Sequence, residues 1–433
     1  MKKIKKLFSF MLSFLLAMGL FVFPSYAQEA QAVTAPDKSL FVTDYPYIFV
    51  HGMGGWGEND PYYSESPYWG GNLFPGSEDD IIKILNAQGI KAYAPSVGPL
   101  SSAWDRACEL YAQLTGTVVD YGAAHSEEHN HDRYGFSYEG KATMGTSWNL
   151  SDKINLVGHS FGGATVRLLT SLLAYGNEQE LAATGNETSE LFKGGHNCVH
   201  SCITLSAPHN GSQVANVIYD SPVMMTLIAT GLNFVGATAG NDFSVFNLQL
   251  GHFAITPKQG EERAKFSPRA ISNFYKAEDN CGYDMTLRGA KELNESIRTA
   301  ENTYYYSYTT VATEPTGLGG RQKPVSTMNS IFKISSSMIS LSEGTTVDGV
   351  KIEGNWAVND GIVPLASSLY PLTDADTAKD YEESVETATV NPGVWYYTDT
   401  MYGMDHFDFC GTEDYPTSFE QFYFDMVTMA NSR

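Results

Sequence analysis

One hexapeptide constrains this chain more than any other feature: Gly158-His159-Ser160-Phe161-Gly162-Gly163, set between a short apolar run and a helical pattern. Residues 154–157 read as a buried strand, and residues 164–175 carry helical spacing. A serine between glycines two places to either side suits a sharp, strained strand-to-helix turn, where only a residue without Cβ lets the backbones close in. The five-residue match alone recurs by chance. The strand before it, the helix after it and the third glycine make it specific, and they present a hydroxyl at the carboxyl end of a strand.

The flanking sequence repeats that rhythm. Residues 45–50 form a short apolar strand running into the glycine-rich turn His51-Gly52-Met53-Gly54-Gly55. Residues 79–86 have helical spacing, 90–97 alternate like a strand, and 104–114 again read as a helix. Further strands are expected at 202–207, 303–313 and 394–398, with a helix around 286–297. Strands alternating with helices predict a mostly parallel central sheet flanked by helices, with ligand chemistry at the carboxyl ends of the strands. Residues 216–240 break the pattern, being rich in Val, Met, Leu, Ile and Phe with almost no charge. They read either as a buried core helix or as a mobile helical lid; the methionines and the flanking glycines favour the lid.

A serine hydroxyl becomes a nucleophile only when a histidine takes its proton, and that histidine needs a carboxylate to fix its tautomer and balance the imidazolium. In such a fold the chain order is serine, acid, histidine. Asp360, in Asn359-Asp360-Gly361-Ile362-Val363, follows an apolar run and opens a turn; Asp405 and Asp376 are the alternatives, with Asp360 then an ordinary Asp-Gly turn residue. His406 is the only histidine C-terminal of Asp360. His159 is nearer in sequence but lies on the wrong face of the turn to reach Ser160. The developing oxyanion needs two N–H donors: the backbone of Phe161, directly after the nucleophile, and the early glycine loop, where Met53 is the natural choice.

Between Asp105 and His131 stand Asp105, Asp120, His125, Glu127, Glu128, His129, His131 and Asp132. Histidine with carboxylate is a zinc-type donor set, although an acidic, histidine-rich surface loop would have the same composition.

The chain opens with Lys2, Lys3, Lys5 and Lys6, an apolar run over residues 7–22, and Pro24-Ser25-Tyr26-Ala27. This reads as a secretory signal peptide over 1–27, with Ala30 or Ala32 as later cleavage points and a membrane anchor as the competing reading. Residues 28–433 are then expected to form one secreted, extracellular domain with no membrane span after cleavage. The full chain of 433 residues carries 27 Lys and Arg against 49 Asp and Glu, a net charge of −22, so there is no basic patch to attract nucleic acid. Five scattered cysteines without a CxxC pair argue against a disulfide framework and for small core residues.

Several of these stretches resemble the secreted, lid-bearing lipases of Gram-positive bacteria, in both their thermophilic bacillus and staphylococcal groups. The pieces are His51-Gly52 with Trp56-Gly57; Val97-Gly98-Pro99-Leu100-Ser101-Ser102 running into Trp104-Asp105-Arg106-Ala107-Cys108-Glu109; Val119-Asp120-Tyr121-Gly122-Ala123-Ala124-His125; the serine turn; Phe192-Lys193-Gly194-Gly195; Ala207-Pro208-His209; Thr303-Tyr304-Tyr305; Asn359-Asp360-Gly361-Ile362-Val363; and Asp405-His406. The resemblance runs over nearly the whole mature chain. It implies an α/β-hydrolase fold with a zinc-binding insertion, and hydrolysis of triacylglycerols and other carboxylesters at an oil-water interface by Ser160, Asp360 and His406. An esterase or polyester depolymerase acting on bulky non-lipid esters, and a catalytically silent binding module, are the rival readings. The resemblance further implies structural zinc on Asp105, His125, His131 and Asp279, with His129 and Asp132 as bystanders. It also implies calcium beside His406, on Asp408, Asp414 and the backbone carbonyls of Thr327 and Tyr415. The chain departs from the family in a calcium loop one residue longer, in Thr327 for a glycine, and in Gly158 and Phe161 within the serine turn.

Overall fold

A computed structural model describes residues 33–70, 80–221, 248–261, 268–317, 319–411 and 418–433. The expected signal peptide, residues 222–240 of the expected lid, and Asp414 and Tyr415 lie outside the described residues.

Seven strands form the central sheet: β1 (Tyr47–Val50), β2 (Ala92–Tyr93), β3 (Ile154–His159), β4 (Val199–Leu205), β5 (Tyr304–Tyr308), β6 (Lys379–Asp380) and β7 (Trp395–Tyr397). Their order across the sheet is β6-β7-β5-β4-β3-β1-β2, and every neighbouring pair is parallel. Such a sheet must be covered on both faces, so its strands lack the polar alternation of a half-exposed sheet. In β1, Ile48 and Val50 point into one core with Leu156 of β3, while Tyr47 and Phe49 point into the other with Val157. The flanking helices include α1 (Ile81–Ala87), α2 (Ala103–Thr115), α3 (Ala123–His129), α4 (Gly162–Tyr175) and α5 (Phe419–Asn431). Leu110 of α2 and Leu169 of α4 fill the first core; Ile82 and Leu85 of α1 and Tyr423 and Val427 of α5 fill the second. This is the mostly parallel, helix-flanked sheet that the sequence rhythm predicts.

From β1 the chain passes to β2 on one side and then returns to β3 on the other. The crevice at the carboxyl ends of strands flanking such a reversal is where open α/β sheets bind ligands. His51-Gly52-Met53 leaves β1 and Ser160 leaves β3 at that point.

Two expected strands are shorter than predicted. Of residues 90–97 only Ala92–Tyr93 pairs, because the later amides are diverted: the Val97 N–H donates to His51 Nε2 and the Gly98 N–H to Glu109. The run 303–313 breaks after Tyr308, where Thr310–Val311 leaves the sheet to pair with Met401–Tyr402. All five cysteines are buried and unpaired. Among the described residues no helix is long and apolar enough to cross a membrane.

Candidate active site

The turn after β3 follows from its glycines. A Cβ on Gly158 would stand 2.5 Å from the Gly162 carbonyl, and one on Gly162 would stand 2.2 Å from the Val50 oxygen, so β1, β3 and α4 can close only around bare backbone. Ser160 is held at φ +54, a left-handed conformation that costs a non-glycine residue roughly 1 to 2 kcal/mol. Its N–H donates to the Leu205 carbonyl at 2.9 Å and its carbonyl accepts from Gly163 at 2.9 Å, which pins the strained turn from both sides.

His406 Nε2 lies 2.8 Å from Ser160 Oγ, and its Nδ1 lies 2.7 Å from Asp360 Oδ2. Asp360 is oriented by its second oxygen, which accepts the N–H groups of Ile362 at 3.0 Å and Val363 at 2.7 Å. The His406 N–H donates to the Asp360 carbonyl at 3.0 Å, joining the two loops. Of the candidate acids, Asp360 is the one that reaches the His406 ring; the Asp405 carboxylate accepts the N–H groups of Asn329 and Phe407 instead. Asp360 does not end a sheet strand. It sits in a turn closed by the Asn359–Pro364 bridge, against the segment that departs after β5. Ser160, Asp360 and His406 are all buried, Ser160 at 8% exposure.

The glycine loop lies directly on Ser160, since a Cβ on Gly52 would meet Ser160 Cβ at 2.7 Å. On either side of Met53 the amides are committed, Gly52 N–H to Tyr68 Oη at 2.9 Å and Gly54 N–H to the Pro99 carbonyl at 2.9 Å. Among the described residues the Met53 and Phe161 N–H groups make no hydrogen bond. His51 explains the first letter of the motif. Burial and the nearby Arg106 cation push its pKa down to about 3, so the ring is neutral; Nδ1 donates to the Gly52 carbonyl at 2.9 Å and Nε2 accepts from Val97 at 3.1 Å.

Sequence reasoning missed Arg106. Its guanidinium, fully buried, donates to the His51 carbonyl, to the Gly98 carbonyl at 3.0 Å and to Thr165 Oγ1 at 2.9 Å, and it stands 5.2 Å over the Phe161 ring. One cation thus ties the turn after β1, the Gly98 segment and the first turn of α4. The only sequence signal was its place beside Asp105 in a long matching tract.

Asp105, in the first turn of α2, meets His125 of α3, His131 and Asp279 in one group whose ligand atoms lie within 4.8 Å of each other. Asp279 reaches it because Asn280 bridges to Ser101 just ahead of α2. His125 Nε2 is 3.4 Å from Asp105 Oδ1 and 3.3 Å from Asp279 Oδ2, and His131 Nε2 is 3.2 Å from the same Asp279 oxygen. None of these four atoms has a hydrogen-bond partner among the described residues. Burial works against the His125 imidazolium, yet Asp279 and Asp105 raise its pKa to about 10. The centre is thus built to hold positive charge.

Other contacts support the group. His252, also missed, lies 2.8 Å from the outer oxygen of Asp105, and Trp104 stacks on His125 at 4.9 Å. His129 is turned away toward the Ala277 carbonyl, and Asp132 pairs with Lys258. Of the residues singled out for calcium, Thr327 is exposed and its hydroxyl donates to the Gly403 carbonyl, while Asp408 is buried and accepts the Asp405 N–H at 2.6 Å.

The chain is similar to known proteins over most of its length. Over 396 residues the chain is 33% identical to Lipase 1 of Staphylococcus aureus, covering 90% of this chain and 54% of that one. Over 375 residues it is 34% identical to Lipase 2 of the same species, covering 85% and 50%. It spans about half the length of these relatives. Among solved structures, the Staphylococcus hyicus lipase superposes with a TM-score of 0.72 at 30% identity, covering 92% of this chain and 98% of that one. EstA from Clostridium botulinum gives 0.73 at 30%, covering 96% and 93%. With a "Lipase-like, C-terminal domain" family model matching residues 43–427, a parallel sheet and a serine turn of this kind, the chain belongs to the lipase-like family and has the α/β-hydrolase fold.

Proposed function

We propose that residues 28–433 form one secreted hydrolase domain that cleaves carboxylic esters, with triacylglycerols as the principal substrates, through an acyl-enzyme on Ser160. The observation that carries this reading is the continuous hydrogen-bonded line from Ser160 Oγ through both nitrogens of His406 to Asp360, at 2.8 and 2.7 Å. His406 takes the serine proton as Oγ attacks the ester carbonyl, then returns it to the departing alcohol; water repeats the sequence to release the acid. Asp360 keeps the Nδ1 proton in place. The N–H groups of Met53 and Phe161 receive the negative charge that develops on the carbonyl oxygen.

For the Asp105, His125, His131 and Asp279 group the cation is zinc. Four donors around zinc at bonds of about 2.0 Å stand about 3.3 Å apart; three of the donor pairs here are separated by 3.2 to 3.4 Å, and all four atoms lie within 4.8 Å of one another. Two imidazoles and two carboxylates fill a tetrahedron and leave no position for water, which makes the ion structural. For calcium, the support is the family resemblance together with a buried Asp408 carboxylate two residues past His406.

A substrate panel tests the activity. Tributyrin, triolein and a solid aliphatic polyester are offered to the full chain while a serine-reactive phosphonate reports on Ser160. Labelling with hydrolysis of both glycerides is expected. Hydrolysis of the polyester alone would move the protein to the depolymerases, and absence of labelling would make it a silent binding module.

A further inference from the structure

We propose that Tyr68 and His159 act together as a positioning relay that couples the oxyanion loop to the catalytic histidine. The inference rests on the hydrolase reading above and adds two residues that make no hydrogen bond to Ser160 Oγ or to the His406 ring, although the His159 ring packs beside that imidazole at 4.9 Å. Tyr68 Oη accepts the Gly52 N–H at 2.9 Å and lies 2.6 Å from His159 Nδ1. At the far side of that ring, His159 Nε2 lies 2.9 Å from the His406 carbonyl.

The protons in this line can be assigned. A carbonyl only accepts, so His159 Nε2 carries the hydrogen toward His406. Burial, and then the neighbouring His406, push the His159 pKa well down, so the ring is neutral and Nδ1 is an acceptor. Tyr68 must therefore donate its O–H to Nδ1, leaving its oxygen lone pairs for Gly52. Cys410 Sγ, 3.5 Å from the same nitrogen, supplies a weaker contact. The line of donors runs in one sense, from the Gly52 N–H through Tyr68 and His159 to the backbone of His406.

Its two ends are the groups whose placement the chemistry needs. At one end Gly52 precedes the Met53 donor; at the other, the His406 backbone sets where the imidazole stands between Ser160 and Asp360. The parts are rigid. Tyr68 and His159 are fully or nearly fully buried, and the Tyr68 ring meets Trp56, Trp69 and His51 at centroid distances of 5.6, 5.2 and 5.8 Å. In a line so enclosed each member's hydrogen bonds depend on the next, so removing one hydroxyl loosens both ends. The residue before the nucleophile is then a histidine because it must accept on one edge and donate on the other.

The test is a double-mutant cycle on the full chain with a soluble nitrophenyl butyrate. Tyr68→Phe keeps the ring packing and removes only the hydroxyl; it should lower kcat about tenfold with KM changed less than twofold. His159→Phe should do the same, and the double variant should lose no more than the worse single one, because residues acting as one unit are non-additive. The proton NMR signal of His406 Nδ1–H should shift or broaden in Tyr68→Phe, although Tyr68 does not touch that ring. Should His159→Phe fail to fold, His159→Gln takes its place. An unchanged kcat in Tyr68→Phe, or losses that multiply in the double variant, overturns the relay. A wild-type chain inert to ester and phosphonate overturns the hydrolase reading instead, so the two failures are distinguishable.

Discussion

Ser160 combines an unfavourable backbone with a favourable neighbourhood, and both follow from atoms a few ångströms away. Its φ of +54 is held by hydrogen bonds to Leu205 and Gly163; its hydroxyl has the His406 imidazole at 2.8 Å. Ser160→Ala leaves the turn intact and should lower turnover of a short-chain nitrophenyl ester by on the order of 10⁶, while Asp360→Asn, which offers the wrong partner to Nδ1, should lower it about 10⁴-fold. Turnover of Ser160→Ala within tenfold of wild type would dismiss this nucleophile. At this scale the sequence singled out residues that the fold brings together. Ser160 and His406 stood out because glycine spacing and chain order leave few alternatives. Asp360 was less distinct, since an Asp-Gly turn looks the same whether or not its carboxylate faces an imidazole, and only the fold shows Asp405 turned to Asn329 and Phe407.

Helix α2 illustrates what a linear reading cannot reach. Its periodicity was plain, yet three residues within two turns serve different neighbours: Asp105 the group with His125, His131 and Asp279, Arg106 the His51 and Gly98 carbonyls, Glu109 the Gly98 N–H and the Tyr121 hydroxyl. None of these partners falls at a helix-face spacing, and His51 and Asp279 lie far along the chain, so no local pattern encodes the set. Arg106→Met should leave those carbonyls without a donor, reducing stability by about 1 to 3 kcal/mol and kcat more than KM; calorimetry and steady-state rates check it. Burial raises the Glu109 pKa to about 8, above the 4.3 or so expected when unfolded. A raised carboxyl favours the fold most at low pH, and that contribution fades as pH rises from about 4 through 8. Glu109→Gln, permanently neutral, should therefore melt progressively higher relative to wild type across that window, at constant excess zinc. A constant difference would show that Glu109 is ionised throughout.

For the molecule as a whole, the alternation of strands and helices was enough to foresee a parallel sheet covered on both faces. What it could not supply was the length of strands whose amides are claimed elsewhere, such as Val97 and Gly98, or the arrival of Asp279 and His252 at a centre begun far upstream. Metal analysis of the purified chain should find about one zinc per molecule, released by strong chelators. His125→Ala with His131→Ala should abolish that zinc and lower the melting temperature by several degrees, while serine labelling of the folded fraction persists. Zinc content unchanged in the double variant would place the ion elsewhere.

Because Ser160 leaves β3 while Met53, one of the two proposed amide donors, leaves β1 next to it, the proposed mechanism admits attack on an incoming carbonyl from one side only. The crevice is handed. Mirror-image esters of a secondary alcohol must then direct different groups at the wall by His406, and one antipode should be consumed first. Chiral chromatography of a half-hydrolysed racemate would reveal it as an excess of the slower antipode, and a racemic remainder would mean the walls beyond the nucleophile are too far off to discriminate.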